Sequence, residues 1–144
     1  MSGEAKDLTT ENAEDAEQRR TLNGIGEKLI GASLRVHTAL GPGLLESAYE
    51  ACLVHELTKV RLAAQRQLVL PILYDGVALD AGYRLDLLIE GQVVVELKAV
   101  EQLTNVHTAQ VLSYLKLGGF RLGYLLNFNV ARMKDGIRRV VNDL

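Results

Sequence analysis

The chain has 144 residues, 48% hydrophobic and 24% charged, which is enough apolar material for one core in one domain. No apolar run approaches the length that spans a bilayer, no basic-then-apolar leader opens the chain, and the single cysteine, Cys52, excludes an internal disulfide or a cysteine-built zinc cluster; a cytoplasmic protein is expected. The formal net charge of -2 does not announce a nucleic-acid binder, yet Glu4, Asp7, Glu11, Glu14, Asp15 and Glu17 stand against Lys6 near the start, and the rest of the chain is net positive.

Residues 1–17 are acidic and nearly free of large apolar side chains, a composition that predicts a disordered tail, with the folded domain over residues 18–144. Leu22, Ile25, Leu29, Ile30, Leu34, Val36 and Leu40 then recur at helical spacing until Gly41-Pro42-Gly43 stops them. A second helix is predicted from about Leu44 to Lys59, with Glu46, Tyr49 and Leu53 on one face. As a first-turn acid, Glu46 also faces the positive end of the helix dipole. Gln65 to Tyr74 reads as a strand ending in the Asp75-Gly76 turn; the return strand begins at Val77 to Leu79 and continues past a bend at Gly82 into Tyr83 to Ile89. Gln92 to Val100 is the next strand. A third helix, Val106 to about Leu117, stops at Gly118-Gly119 and aligns His107, Gln110 and Tyr114 on one stripe. Strands over Phe120 to Asn127 and Ile137 to Val141 close the order α-α-β-β-β-α-β-β.

The hairpin from Tyr83 to Val100 plants charge where a strand reads as buried. Alternation puts Val93, Val95, Leu97 and Ala99 on one face of its second strand, and Val94, Glu96, Lys98 and Val100 on the other. Valines on both faces mark a strand covered on both sides, which leaves Glu96 and Lys98 no ordinary solvated surface. On the first strand Tyr83, Leu85, Leu87 and Ile89 share a face opposite Arg84, Asp86 and Leu88. With Glu90-Gly91-Gln92 as a three-residue loop, Ile89 pairs with Val93, Asp86 stands across from Glu96, and Arg84 across from Lys98. Like charges facing each other on a sheet destabilise it. One resolution is a structural ion pair with Lys98, although such pairs seldom improve on apolar packing. The other is a divalent cation: hard oxygen ligands suit magnesium, which takes one or two carboxylates and completes its shell with water and substrate phosphate. A lysine one alternate residue along is then placed to orient water or to stabilise charge on a phosphate.

Asp86 followed by Glu96-Leu97-Lys98 on the next strand resembles the signature of the PD-(D/E)XK nuclease superfamily. Gly43-Leu44-Leu45-Glu46-Ser47-Ala48-Tyr49 is similar to the GxxExxY motif that names a bacterial subfamily, and Gln110-Val111-Leu112-Ser113-Tyr114 to the QxxxY pattern of the RecB-like branch. Leu126-Asn127-Phe128-Asn129 with Lys134-Asp135-Gly136-Ile137-Arg138-Arg139 resembles the closing segment of GxxExxY proteins. The likeness spans Leu22 to Asn142; Leu85 stands where the superfamily name has proline, a position known to vary. It implies an α/β (α+β) fold with a restriction-endonuclease-like core, a small mixed β-sheet flanked by helices. It implies as well a nuclease dependent on Mg2+ or Mn2+ that hydrolyses phosphodiester bonds of DNA, with RNA the lesser expectation. In that reading Asp86, Glu96 and Glu46 hold the metal together with the backbone carbonyl of Leu97, Lys98 orients or helps deprotonate the attacking water, and Gln110 and Tyr114 position substrate phosphate or the lysine.

The competing function class is a non-catalytic nuclease-fold module that binds nucleic acid or a protein partner. Charge balance supports it; retention of every acid and the lysine opposes it. Arg121, Arg132, Lys134, Arg138 and Arg139, with Lys28 and Arg35 on the first helix, are candidates for a phosphate-contacting surface, against the plainer reading of solubility. His107 is open between a helix-cap role and a ligand or base, while Cys52 and His55 read as packing and surface residues. The expected partner is nucleic acid, no membrane partner is expected, and monomer and homodimer both stay open.

Overall fold

The computed structural model describes the backbone of residues 2–144 and the side chains of residues 12–144. Helix α1 (Ser2–Leu40) buries the stripe Leu22, Ile25, Leu29, Ala32 and Val36 and ends where Gly41 takes φ +68°, a left-handed conformation that an L side chain resists. Helix α2 (Glu46–Lys59) buries Tyr49, Leu53 and Leu57. Its N-cap residue, Leu45, makes no side-chain capping bond, so packing holds the helix: each buried leucine is worth roughly 1.5 to 3 kcal/mol. A β-carbon at Gly26 runs into the Tyr124 hydroxyl; α1 lies this close to the sheet because that residue is glycine.

Strands β1 (Ala64–Val69), β2 (Ile72–Tyr74), β3 (Val77–Leu79), β4 (Arg84–Ile89) and β5 (Val93–Lys98) follow, then α3 (Asn105–Gly118), β6 (Leu122–Asn127), a 3-10 turn at Met133–Gly136 and β7 (Ile137–Val141). A five-stranded sheet has the order β1-β4-β5-β6-β7, with β5 and β6 parallel and joined through α3, and the other neighbours antiparallel. One core, with Leu29, Tyr49, Leu53, Val93, Val95 and Leu97, lies between the sheet and α1 and α2. The second lies on the opposite face beneath α3, with Leu88, Val94, Val111, Leu115 and Leu125. This mixed sheet flanked by helices is the restriction-endonuclease-like arrangement expected from the sequence. Every residue of β5 up to Leu97 is buried, as valines on both faces require.

Two expectations shift. The single strand expected from Gln65 to Tyr74 breaks at Leu70-Pro71, so that β1 joins the main sheet while β2 and β3 form a separate ribbon closed by Asp75 and Gly76 at φ +54° and +73°. Pro71 has no N–H to give a ladder, and Gly82 at φ +83° redirects the chain again before β4. Of the acidic stretch expected as a disordered tail over residues 1–17, Met1 and the side chains of residues 2–11 lie outside the described residues, and the backbone of residues 2–17 is helical and continuous with the rest of α1. Ala13, Glu14, Ala16 and Glu17 are good helix formers, and Arg121 Nη1 anchors this stretch by donating to Asp15 Oδ1 and Gln18 Oε1, each at 2.6 Å.

Candidate active site

The turn between β4 and β5 sets Glu90 at φ +54° and Gly91 at φ +66°, and the Gln92 N–H donates to the Ile89 carbonyl at 2.9 Å. Ile89 pairs with Val93, Leu88 with Val94 and Leu87 with Val95, the register that a three-residue loop predicts. Beyond Leu87 this ladder stops. Side chains take its place: the Asp86 N–H donates to Glu96 Oε1 at 3.1 Å, and the Leu97 N–H donates to Asp86 Oδ2 at 2.8 Å. The two acids therefore meet in an open gap rather than in a closed cross-strand pair, and the expected pairing of Arg84 with Lys98 falls outside the ladder. Because the N–H and C=O of one residue point to the same edge of an extended strand, the Leu97 carbonyl faces this gap as well.

The other edge of β4 is irregular at the same level. Arg66 pairs with Leu87 and Leu68 with Leu85, but Gln67 between them adopts φ +52° and makes no ladder pair with Asp86. Leu87 packs in the core beneath α1 and α2 and Leu85 in the core beneath α3, whereas a regular strand sets residues two apart on one face. The strand turns over at Asp86, dividing the face expected to unite Tyr83, Leu85, Leu87 and Ile89. Gln67 Nε2 donates to Asp86 Oδ1 at 3.3 Å and to Glu50 Oε1 at 2.7 Å. Glu46, Ser47, Glu50, Gln67, Asp86 and Leu97 line a cleft of about 340 Å³.

Glu96 is only 5% exposed, and burial first, then the charge of Asp86, push its carboxyl up to about 8. Lys98 opposes this shift but is the smallest of its causes. Among the described residues Lys98 forms no ion pair, so a structural salt bridge does not compensate the two acids. On the α3 side Tyr114 is buried close to them: burial first, then the charge of Glu96, raise its hydroxyl above the usual phenol range, and Gln110 Nε2 donates to its oxygen at 2.9 Å. Glu46, the first residue of α2, reaches the end of β5, where the Ala99 N–H donates to its Oε1 at 3.4 Å.

Two mutually repelling carboxylates and a main-chain carbonyl around one gap make an oxygen-only donor set of the kind that suits a hard divalent cation. Among the described residues no group of three or more His, Cys, Asp or Glu side chains converges closely enough to enclose an ion, so Glu46 stands at the mouth of the cleft rather than in a closed shell with Asp86 and Glu96. The family model that matches residues 23–140 is that of the PD-(D/E)XK nuclease superfamily. The chain belongs to this superfamily. Neither a curated protein nor a solved structure matches it.

Membership in the PD-(D/E)XK nuclease superfamily makes nuclease-type chemistry the function class and nucleic acid the partner class, and nucleases of this kind generally use divalent metal ions. Among the described residues no helix is long and apolar enough to cross a membrane. Tyr49 of this nuclease domain plays a structural part. Its hydroxyl donates to the Gly41 carbonyl at 2.6 Å and accepts the Leu44 N–H at 3.1 Å, while its ring stacks on Phe128 at 4.6 Å. It thereby fixes the Gly41-Pro42-Gly43 turn, and with it the point where α2 begins and Glu46 stands. His107 is a capping residue whose Nδ1 accepts the Thr104 N–H at 3.0 Å, and it does not join the acids.

The basic residues do not gather into one phosphate-binding surface. Adjacent positions on β7 point to opposite faces, so Arg138 donates to Thr108 Oγ1 of α3 at 2.9 Å while Arg139 donates to Asn23 Oδ1 of α1 at 2.8 Å. Arg35 is held by Glu56 at 3.0 Å and Arg132 by Asp135 at 3.5 Å. Three cleft residues were not anticipated from the sequence as site residues, Ser47, Glu50 and Gln67. Glu50 carried a signal, since it lies four residues after Glu46 and shares its helix face. Nothing local announces a left-handed Gln67.

Proposed function

We propose that this nuclease domain hydrolyses phosphodiester bonds of DNA with Mg2+ or Mn2+ as its cofactor, and that it is a GxxExxY member of the superfamily. The carrying observation is the open gap in which Asp86 and Glu96 replace the β4–β5 ladder, beside a Lys98 that forms no ion pair among the described residues. Asp86, Glu96 and the Leu97 carbonyl would hold the cation, with Glu46 contributing from the mouth of the cleft. A bound divalent cation supplies Lewis acidity to water and to the phosphate. Lys98, on the same strand face as Glu96, donates as an ammonium to orient the attacking water, eases loss of that water's proton to solvent by placing a positive charge beside it, and offsets negative charge on the phosphate while the new P–O bond forms and the scissile P–O bond breaks to release the sugar oxygen. From the α3 side, Gln110 fixes the Tyr114 hydroxyl, which positions the lysine or the phosphate.

Support for the subfamily comes from Gly43, Glu46 and Tyr49 at GxxExxY spacing, and for DNA over RNA from the likeness of Gln110 and Tyr114 to the RecB-like pattern. A non-catalytic module has against it the retention of both acids and the lysine around one gap. Incubating the purified protein with linear, nicked, branched and single-stranded DNA and with RNA, in Mg2+, Mn2+ or EDTA, tests the proposal. Metal-dependent cleavage of DNA that disappears in Asp86→Ala is the expected result; no cleavage of any substrate in either metal would refute it.

A further inference from the structure

Gln67 breaks two regularities at once. It is a non-glycine residue at φ +52° within a strand, it gives up its ladder pair with Asp86, and it does so although Arg66 and Leu68 on either side keep an uninterrupted register with Leu87 and Leu85. No inserted residue forces the distortion. A left-handed residue in a strand is costly, and such strain persists where the surroundings hold it in place for another purpose. Its visible result is that the Gln67 amide lies between Glu50 and Asp86 over the cleft.

We propose that Glu50 and Gln67 form a relay that orients the Asp86 carboxylate, making both of them positioning residues of the nuclease site; the inference rests on the functional reading given above. Carboxylate oxygens accept and do not donate, so the amide nitrogen of Gln67 faces both neighbours and commits both of its hydrogens, one to Glu50 Oε1 at 2.7 Å and one to Asp86 Oδ1 at 3.3 Å. Glu50 is itself fixed. It is 7% exposed, and its Oε2 accepts Arg66 Nη2 at 2.9 Å and Nε at 3.2 Å. Asp86 already spends Oδ2 on the Leu97 N–H at 2.8 Å, so Gln67 removes the remaining rotational freedom of the carboxylate. That restraint has a clear use. Asp86 lies beside a second acid and lines the cleft, and a donor on Oδ1 keeps its carboxylate in the gap when Glu96 is ionised. A neutral amide restrains Asp86 without neutralising it, which leaves its full charge for a cation. The chain thus links α2, β1 and β4 in one line ending at the site: Arg66 to Glu50, Glu50 to Gln67, Gln67 to Asp86.

Calorimetric titration of Mn2+ into the full chain tests the relay, using Gln67→Gly, Glu50→Ala, Glu50→Gln, the double variant Glu50→Ala with Gln67→Gly, and Asp86→Ala. Glycine accepts the left-handed backbone, so Gln67→Gly relieves strain while deleting the amide, and its unfolding midpoint is expected to stay at or above that of the wild type. Gln67→Gly and Glu50→Ala are each expected to weaken Mn2+ affinity by roughly ten- to a hundred-fold, the loss associated with partners that orient a ligand. The double variant is expected to be no weaker than the worse single one, because both act through the same link. Glu50→Gln keeps an acceptor for Gln67 and is expected to stay within about threefold of the wild type, a rescue that a direct metal ligand would not show. Wild-type affinity in Gln67→Gly together with lost affinity in Asp86→Ala overturns the relay and leaves the metal site standing. Independent, multiplying losses in the double variant also overturn it. Undiminished Mn2+ binding by Asp86→Ala instead overturns the functional reading on which the relay depends.

Discussion

Glu96 accepts the main-chain N–H of Asp86 at 3.1 Å, at the level where the β4–β5 hairpin stops bonding backbone to backbone. The acid does the work of a strand carbonyl, and this keeps the half-buried Asp86 amide satisfied after the strands have parted. It also fastens one carboxylate to the residue that carries the other. Their repulsion is thereby built into the fold, and the gap between them stays open to a third party.

The burial of Glu96 makes the metal-free protein less stable as pH rises. Its carboxyl titrates near 8 in the folded chain against 4.5 as the ordinary value, so between these limits the native state holds a proton that the unfolded state has released. The associated stability is complete below about 4.5 and is lost as pH rises through about 8. At about 1.4 kcal/mol per pKa unit the total is a few kcal/mol. Denaturant unfolding in EDTA across this range should show the decline in the wild type and a much flatter profile in Glu96→Gln; equal slopes would contradict the assignment.

Lys98→Met should bind metal nearly as the wild type does and fail to cleave. An ammonium cannot be a metal ligand, and Lys98 forms no ion pair among the described residues, so its removal leaves the oxygen donors in place. Single-turnover cleavage at saturating Mn2+ measures it. Retained hydrolysis would take the water-activating role away from Lys98.

Glu46→Gln separates two roles that the same position allows. As a first-turn acid answering the helix dipole, Glu46 is worth about 0.3 to 1 kcal/mol of stability and nothing to metal affinity. As a contributor at the mouth of the cleft, its loss should weaken metal binding or turnover by roughly tenfold or more with little change in melting. A variant that melts slightly earlier yet binds and cuts normally would return Glu46 to the dipole role.

Tyr49→Phe should lower stability without touching the chemistry directly. The ring stacked on Phe128 survives, but the Gly41 carbonyl and the Leu44 N–H lose their shared partner, a loss on the order of 1 to 3 kcal/mol. Chemical denaturation measures the cost. An unchanged midpoint would mean that water replaces the hydroxyl and that the turn does not depend on it.

The hairpin was legible in the sequence because its rules are local. Two-residue alternation, valines on both faces and a three-residue loop fix the pairing of Ile89 with Val93, and that pairing brings Asp86 to Glu96. Helix α3 was legible to within a residue at its start, through its apolar spacing and the Gly118-Gly119 stop. What escaped depends on distant partners. The helical course of the acidic stretch is secured by Arg121, more than a hundred residues away, and the basic residues late in the chain are turned apart by β7 toward α1 and α3. The overturning of β4 at Asp86 belongs with the left-handed Gln67 on the neighbouring strand, a tertiary compromise that no propensity records. Pro71, by contrast, was a visible signal for the break between β1 and β2.

A cation held between Asp86 and Glu96 is tested most directly by thermal unfolding with and without Mn2+ or Mg2+ at slightly alkaline pH. The wild type should melt at higher temperature as metal is added, because a ligand that binds only the folded state stabilises it and here also relieves the repulsion of the two acids. Asp86→Ala and Glu96→Ala should show little or no such rise. A metal-dependent rise of the same size in all three proteins would place the ion elsewhere and contradict the site.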